Sequence, residues 1–145
     1  MVLYEYNCTI DRVVDGDTVD VDIDLGFGVW MQKQRIRLYG VDTPESRTRD
    51  AEEKIYGNLA KKFVEERLPV GSKQKLRTKL DGKGKFGRIL GEFVIYDGKT
   101  HRETTLNEML IETSNAVKYH GQSKEDIEKE HLENRVKLGA EFLGG

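Results

Sequence analysis

The sequence predicts an α+β fold, mainly a small β-barrel, with three helices set among its strands. Three observations carry this expectation. From Thr18 to Leu25 apolar and acidic residues alternate without a break, the period of a half-buried strand. Between Asp50 and Leu68 the period becomes helical, and after Pro69-Val70-Gly71 strand-like runs return. No repeat, low-complexity stretch or Pro/Ser-rich linker divides the 145 residues, so 1–145 reads as a single domain, long enough to bury a core without staples.

Each element has its own signal. A first strand is expected from Tyr4 to Val14, ending at the turn dipeptide Asp15-Gly16. In the next, Val19, Val21, Ile23 and Leu25 share one face, and Asp20, Asp22 and Asp24 share the other. Gly26-Phe27-Gly28 makes a hairpin to a partner running from about Val29 to Tyr39, with Trp30 near its tip. Ile55, Leu59, Ala60, Phe63, Val64 and Leu68 recur at helical spacing. Lys73 to Lys79 and Arg88 to Tyr96 read as strands, and Asp97-Gly98 as a turn. Thr105 caps a helix over Leu106 to about Thr113, with Glu108 completing a capping box. A polar helix follows from about Ser123 to Leu138.

Composition narrows the function classes. Apolar residues make up 37% and charged residues 34%, with 24 Lys and Arg against 26 Asp and Glu. This excludes a disordered tail, a collagen and a disulfide scaffold. No 18-residue apolar run exists, so no membrane partner is expected. The opening MVLYEYNCTI has no basic segment followed by an apolar run, so no signal peptide is read, and an intracellular or viral-encoded chain is expected ahead of a secreted one. Cys8 stands alone, and His101, His120 and His131 show no zinc spacing with each other or with Cys8. Phosphate-loop, dinucleotide and Gly-x-Ser-x-Gly patterns are all absent.

Two charge groups stand out. The acids Asp15, Asp17, Asp42 and Glu45 lie in turn sequences that backbone geometry alone can explain. Asp17, however, has the strand parity of Val19 and Val21, and a carboxylate on an apolar side needs a partner. A hard cation is one natural solution. An EF-hand is excluded, because a loop counted from Asp15 has Val19 at position 5 and Asp20 at position 6. The second group is basic: between Gly71 and Gly91, Lys73, Lys75, Arg77, Lys79, Lys83, Lys85 and Arg88 face only Asp81. The first four fall on every second residue. They read either as lysines guarding a sheet edge or as a track for a phosphate backbone. Arg35 and Arg37 lie on one strand face just upstream of Asp42, and the planar guanidinium fork suits a phosphoryl group.

Three segments in order, Val14-Asp15-Gly16-Asp17-Thr18-Val19, Arg35-Ile36-Arg37-Leu38-Tyr39-Gly40-Val41-Asp42-Thr43-Pro44-Glu45 and Lys85-Phe86-Gly87-Arg88, resemble the staphylococcal nuclease (thermonuclease) family. Tyr56-Gly57 and Asn107-Glu108 fit as well, and the resemblance covers about residues 8–140. It implies an OB-fold, a five-stranded barrel with three helices, that hydrolyses phosphodiester bonds of DNA and RNA with one calcium ion. By the same resemblance Asp17 and Asp42 bind the metal through carboxylates and Thr43 through its carbonyl, Glu45 is the candidate general base, and Arg37 and Arg88 are the catalytic arginines. Lys85 and Phe86 fall where relatives contact the nucleotide, and Tyr119 falls near tyrosines that stack on a base, with plain packing as its other reading. The resemblance further implies breakage of the bond to the 5′ oxygen, leaving 3′-phosphorylated products.

Some positions depart from the family pattern. Gly84 replaces an acid, Ser114-Asn115-Ala116 replaces Gly-Leu-Ala, and the tryptophan near the end of the last helix is missing. Asn115 is expected to supply the left-handed turn that ends the second helix. The expected partners are DNA and RNA, single-stranded or locally opened, and the chain is expected to be a monomer. The competing reading is a catalytically silent OB-fold module that binds nucleic acid. Retention of the full set Asp17, Arg37, Asp42, Glu45 and Arg88 argues against it, because binding alone does not need that set.

Overall fold

A computed structural model describes residues 3–79, 88–99 and 101–144. Its strands are β1 (Leu3–Asp15), β2 (Thr18–Gly26), β3 (Val29–Leu38), β4 (Val41–Asp42), β5 (Lys73–Lys79), β6 (Arg88–Asp97), β7 (Arg102–Thr105) and β8 (Val117–Lys118). Its helices are α1 (Ala51–Arg67), α2 (Leu106–Glu112) and α3 (Lys124–Gly144). The main sheet runs β3-β2-β1-β5-β6-β7, and a further β3–β6 pairing closes it. Five strands thus make a closed barrel, with β7 appended, as expected of an OB-fold. The closing pair is parallel, with Arg35 opposite Arg88 and Arg37 opposite Leu90.

The alternation in β2 translates directly into packing. Val19, Val21 and Ile23 are buried while Asp20, Asp22 and Asp24 stay partly exposed on the other face, and Leu25, at the hairpin end past the core, is 42% exposed. Ile10, Ile36, Leu38, Leu76 and Phe93 join them in one core. Fully burying an aliphatic or aromatic side chain is worth roughly 1.5–3 kcal/mol, so these strands hold the fold. Cys8 lies among them, 2% exposed, between Ile23 of β2 and Gln74 of β5. Burial pushes its thiol pKa up to about 12. The β2–β3 hairpin turns on Phe27 and Gly28, both with positive φ, and leaves Phe27 fully exposed.

α1 begins at Asp50, whose carboxylate accepts from the N–H groups of Glu52 and Glu53. Its buried face differs from the one its periodicity predicts: Gly57, Ala60 and Val64 face inward, whereas Ile55 is 59% exposed. The reason is a close approach of backbone. A Cβ on Gly57 would lie 2.3 Å from the Glu45 carbonyl oxygen and 2.6 Å from the Ser46 nitrogen. Only glycine lets the loop carrying Glu45 rest on the helix. Gly16 plays the same part for the turn before β2, where a Cβ would meet Ala60 and Thr43 at 2.9 Å.

α2 is capped by Thr105 as expected, through the Glu108 N–H. Its end differs from the expectation. Ser114, not Asn115, holds the left-handed conformation, with φ +62°. The N–H groups of Asn115 and Ser114 donate to the carbonyls of Leu110 and Ile111, so Ser114 falls on the one residue past the cap that must turn left-handed. Buried Asn107 donates its amide to the carbonyls of Tyr39 and Gly91, which ties α2 to the chain just before β4. Among the described residues no helix is long and apolar enough to cross a membrane.

Candidate active-site cleft

A cleft of about 670 Å3 opens beside the barrel, between the turn before β2, the end of β3, the loop after β4 and the inward side of α3. Asp17, Arg37, Asp42, Thr43, Glu45 and Tyr119 all line it. Three separate stretches of sequence therefore converge on one space. Asp17 sits in the turn that ends the β1–β2 hairpin, Arg37 points out from β3 opposite Thr18, and Asp42 ends the short β4 paired with β8.

Arg37 is the hub. Its guanidinium lies 3.5 Å from Asp17 Oδ2 and 3.6 Å from Asp42 Oδ1, and Nη1 donates to the Leu38 carbonyl at 3.0 Å. Asp17 also accepts from the Thr43 N–H at 3.2 Å and from the Thr18 hydroxyl at 3.0 Å. The partner that its position in the strand pattern demands is thus an arginine and a backbone amide. The Thr43 hydroxyl is buried without a hydrogen-bond partner. Asp15 accepts from the Gly16 N–H at 3.0 Å. Burial pushes its carboxyl pKa above the usual 3.8, partly offset by that bond and by Ser46, and the neighbouring Asp17 charge pushes the same way.

Glu45 is exposed at the rim, and its N–H donates to Glu53 of α1 at 3.3 Å. Tyr119 lines the cleft, is 48% exposed, and donates its backbone N–H to the Gly40 carbonyl at 2.8 Å. Arg88 begins β6 beside Arg35. Lys85 and Phe86 lie outside the described residues. Arg35 points away from this chemistry, as a two-pronged pair with Asp20 at 2.9 and 3.2 Å. The basic stripe of β5 is partly spent: Arg77 pairs with Glu5 at 3.0 Å and Glu103 at 3.6 Å, and Lys79 sits 3.4 Å over the Tyr39 ring. Lys73 and Lys75 remain exposed.

Sequence reading missed the α3 side of the cleft. His131 Nε2 lies 2.7 Å from Asp42 Oδ2, and Arg135 lines the same space. The available signal was the spacing 131, 134, 135, which puts an imidazole, an amide and a guanidinium on one face of a mostly polar helix. Among the described residues no three His, Cys, Asp or Glu side chains form a ready-made metal cage.

A closed five-stranded barrel with an arginine set between carboxylates in a cleft at its side defines an OB-type domain. The chain belongs to the family described as Staphylococcal nuclease homologue, whose model matches residues 35–139. That span begins after Asp17, which the fold brings next to Asp42. The chain is 36% identical over 104 residues to endonuclease YncB of Bacillus subtilis, covering 72% of this chain and 46% of that protein. It is 34% identical over 122 residues to the SPbeta prophage-derived endonuclease YokF of the same organism, covering 81% and 39%. With the thermonuclease of Staphylococcus intermedius it shares 37% over 83 residues, covering 56% and 44%. The chain spans less than half the length of these relatives.

Proposed function

We propose that the chain is a calcium-dependent nuclease that hydrolyses phosphodiester bonds of DNA and RNA, acting as a monomer on single-stranded or locally opened substrate. The observation that carries this reading is the placement of Arg37 between Asp17 and Asp42 in a cleft also lined by Glu45. The names of the relatives, endonucleases and thermonucleases, support it.

The residues fit one hard cation. Asp17 and Asp42 supply carboxylate oxygens and Thr43 a carbonyl, an all-oxygen set that leaves positions for water. The Thr43 hydroxyl, without a hydrogen-bond partner among the described residues, lies against the Gly16 turn, so the fit rests on the chemistry of the donor set. When bound, such an ion would supply positive charge to offset a nonbridging phosphate oxygen and to hold a water.

The chain's own groups do the rest. A phosphodiester is anionic and repels an attacking hydroxide, so positive charge must surround phosphorus. Arg37 donates charge-assisted bonds to the phosphoryl oxygens, with Arg88 as its partner from β6, and these strengthen as the pentacoordinate transition state gathers charge. Glu45 accepts the proton of the attacking water. The water oxygen bonds to phosphorus, the bond to the 5′ oxygen breaks, and that oxygen takes up a proton, leaving a 3′-phosphate and a 5′-hydroxyl. Tyr119 offers a face on which a base can stack, while Lys85 and Phe86 are assigned to the nucleotide's terminal phosphate and the pocket wall by the family resemblance alone.

The test is digestion of plasmid and single-stranded DNA and of RNA, with calcium and then with chelator, followed by end-group analysis. Cleavage that stops on chelation and yields 3′-phosphates is the expected result. Binding without cleavage would replace the reading with a silent nucleic-acid-binding module. Glu45→Gln should keep the fold while cutting turnover at least about a hundredfold. Turnover near that of the unaltered chain would remove Glu45 from the mechanism.

A further inference from the structure

Asp42 occupies a weakly supported position. It ends a two-residue strand whose ladder partners are only Lys118 and Val117, so no extended sheet fixes its side chain. Of its contacts among the described residues, Arg37 stands at 3.6 Å, too far for a good hydrogen bond. The contact at hydrogen-bond length is His131, from 89 residues further along the chain. The imidazole is 12% exposed on a helix whose described residues mostly face solvent.

We infer that His131 is a positioning residue for Asp42: its Nε2–H holds Oδ2 and so presents Oδ1 to the cation. This rests on the reading of Asp42 as a cation ligand. An ionised carboxylate only accepts hydrogen bonds, so the proton of this bond lies on Nε2. With Nε2 engaged, and with no His, Cys, Asp or Glu trio forming a cage among the described residues, the ring acts through Asp42 rather than as a ligand itself. The neighbouring positions anchor the helix that carries it. Asn134 donates its amide to the Ala116 carbonyl at 3.2 Å, and Arg135 stands 3.7 Å from Glu52 of α1. At i, i+3 and i+4 these three share one helix face, so α3 docks by a polar stripe whose first member reaches the cation ligand. Partners that orient a ligating group in this way are worth about 10–100-fold in metal affinity.

Calcium titration by calorimetry on the full chain tests this. His131→Ala should weaken calcium binding about 10–100-fold, and His131→Phe, which keeps a ring but no donor, should do the same. His131→Gln, whose amide N–H reaches the same oxygen, should recover most of the loss. Asn134→Ala loosens the same helix without touching Asp42 and should bind calcium within about twofold of the unaltered chain, the 10–100-fold range being reserved for the ligand's own partner. If His131→Ala or His131→Phe binds calcium like the unaltered chain, the inference falls and the metal reading stands. If Asn134→Ala loses as much as His131→Phe, His131 merely docks the helix and the inference is overturned. An unaltered chain that takes up no calcium overturns the metal reading and this inference together.

Discussion

In the barrel, Val19, Val21, Ile36, Leu76 and Phe93 are completely enclosed. Along α3, by contrast, Leu132 is half exposed, Val136 is 73% exposed, and the polar contacts of His131, Asn134 and Arg135 tie the helix to its surroundings. The barrel draws its stability from apolar area removed from water, a term that sums over many residues. The helix draws its placement from a few directional contacts, each worth about 1 kcal/mol net, and these lie along the cleft. Damage to the barrel should therefore appear as lost stability, and loss of the His131 contact as lost geometry at the cleft.

The contrast can be broken most forcefully at Phe93. Phe93→Ala should cost about 3–5 kcal/mol in chemical denaturation, and a loss below about 1 kcal/mol would mean the barrel core does not carry the fold. Gly57→Ala probes the seat of the Glu45 loop. The added methyl cannot fit against the Glu45–Ser46 peptide, so a net loss of about 1–3 kcal/mol is expected, even though alanine favours the helix by about 1 kcal/mol. Turnover should fall with it, because Glu45 moves. Unchanged stability and activity would show that the loop yields freely.

Asp15→Asn should instead stabilise. Burial raises the folded-state pKa of Asp15 above its unfolded value of 3.8. The fold thus favours the neutral acid, a contribution fully present below 3.8 and lost as pH rises through the folded value. At pH 7 the charged form is a cost that asparagine removes, while its amide oxygen still accepts the Gly16 N–H. Tm in metal-free buffer should rise at pH 7, with the gain fading towards pH 3; a gain that persists in acid would point to packing instead. Smallest of all, Val136→Ser on the outer side of α3 should change stability by no more than about 0.5 kcal/mol. A larger loss would show that this face is covered in solution.

Much of the barrel was legible because β2 repeats its period for eight residues and the Thr105 cap is a local event. β4 and β8, two residues each, are too short to show any period, and β7 is wholly polar and partly exposed. Ile55 was misplaced because helical spacing records which residues are apolar, not which face a neighbouring loop will press upon. Asp17, Arg37, Asp42 and Glu45 were legible because their segments carry motif-like spacing, whereas Tyr119, beyond a segment that departs from the pattern, rested on its position alone. His131 was not legible, since its bond spans 89 residues and the 131, 134, 135 spacing marks a polar helix face without showing what that face meets.

Cys8, the chain's sole cysteine, gives the barrel a built-in reporter. With its side chain buried in the barrel core and its pKa pushed up to about 12, thiol reagents reach a reactive sulfur only when the barrel opens around β1. The speed of alkylation in native buffer thus measures how often the barrel breathes, and a second cysteine placed on the surface can carry a spectroscopic label while the native one stays untouched.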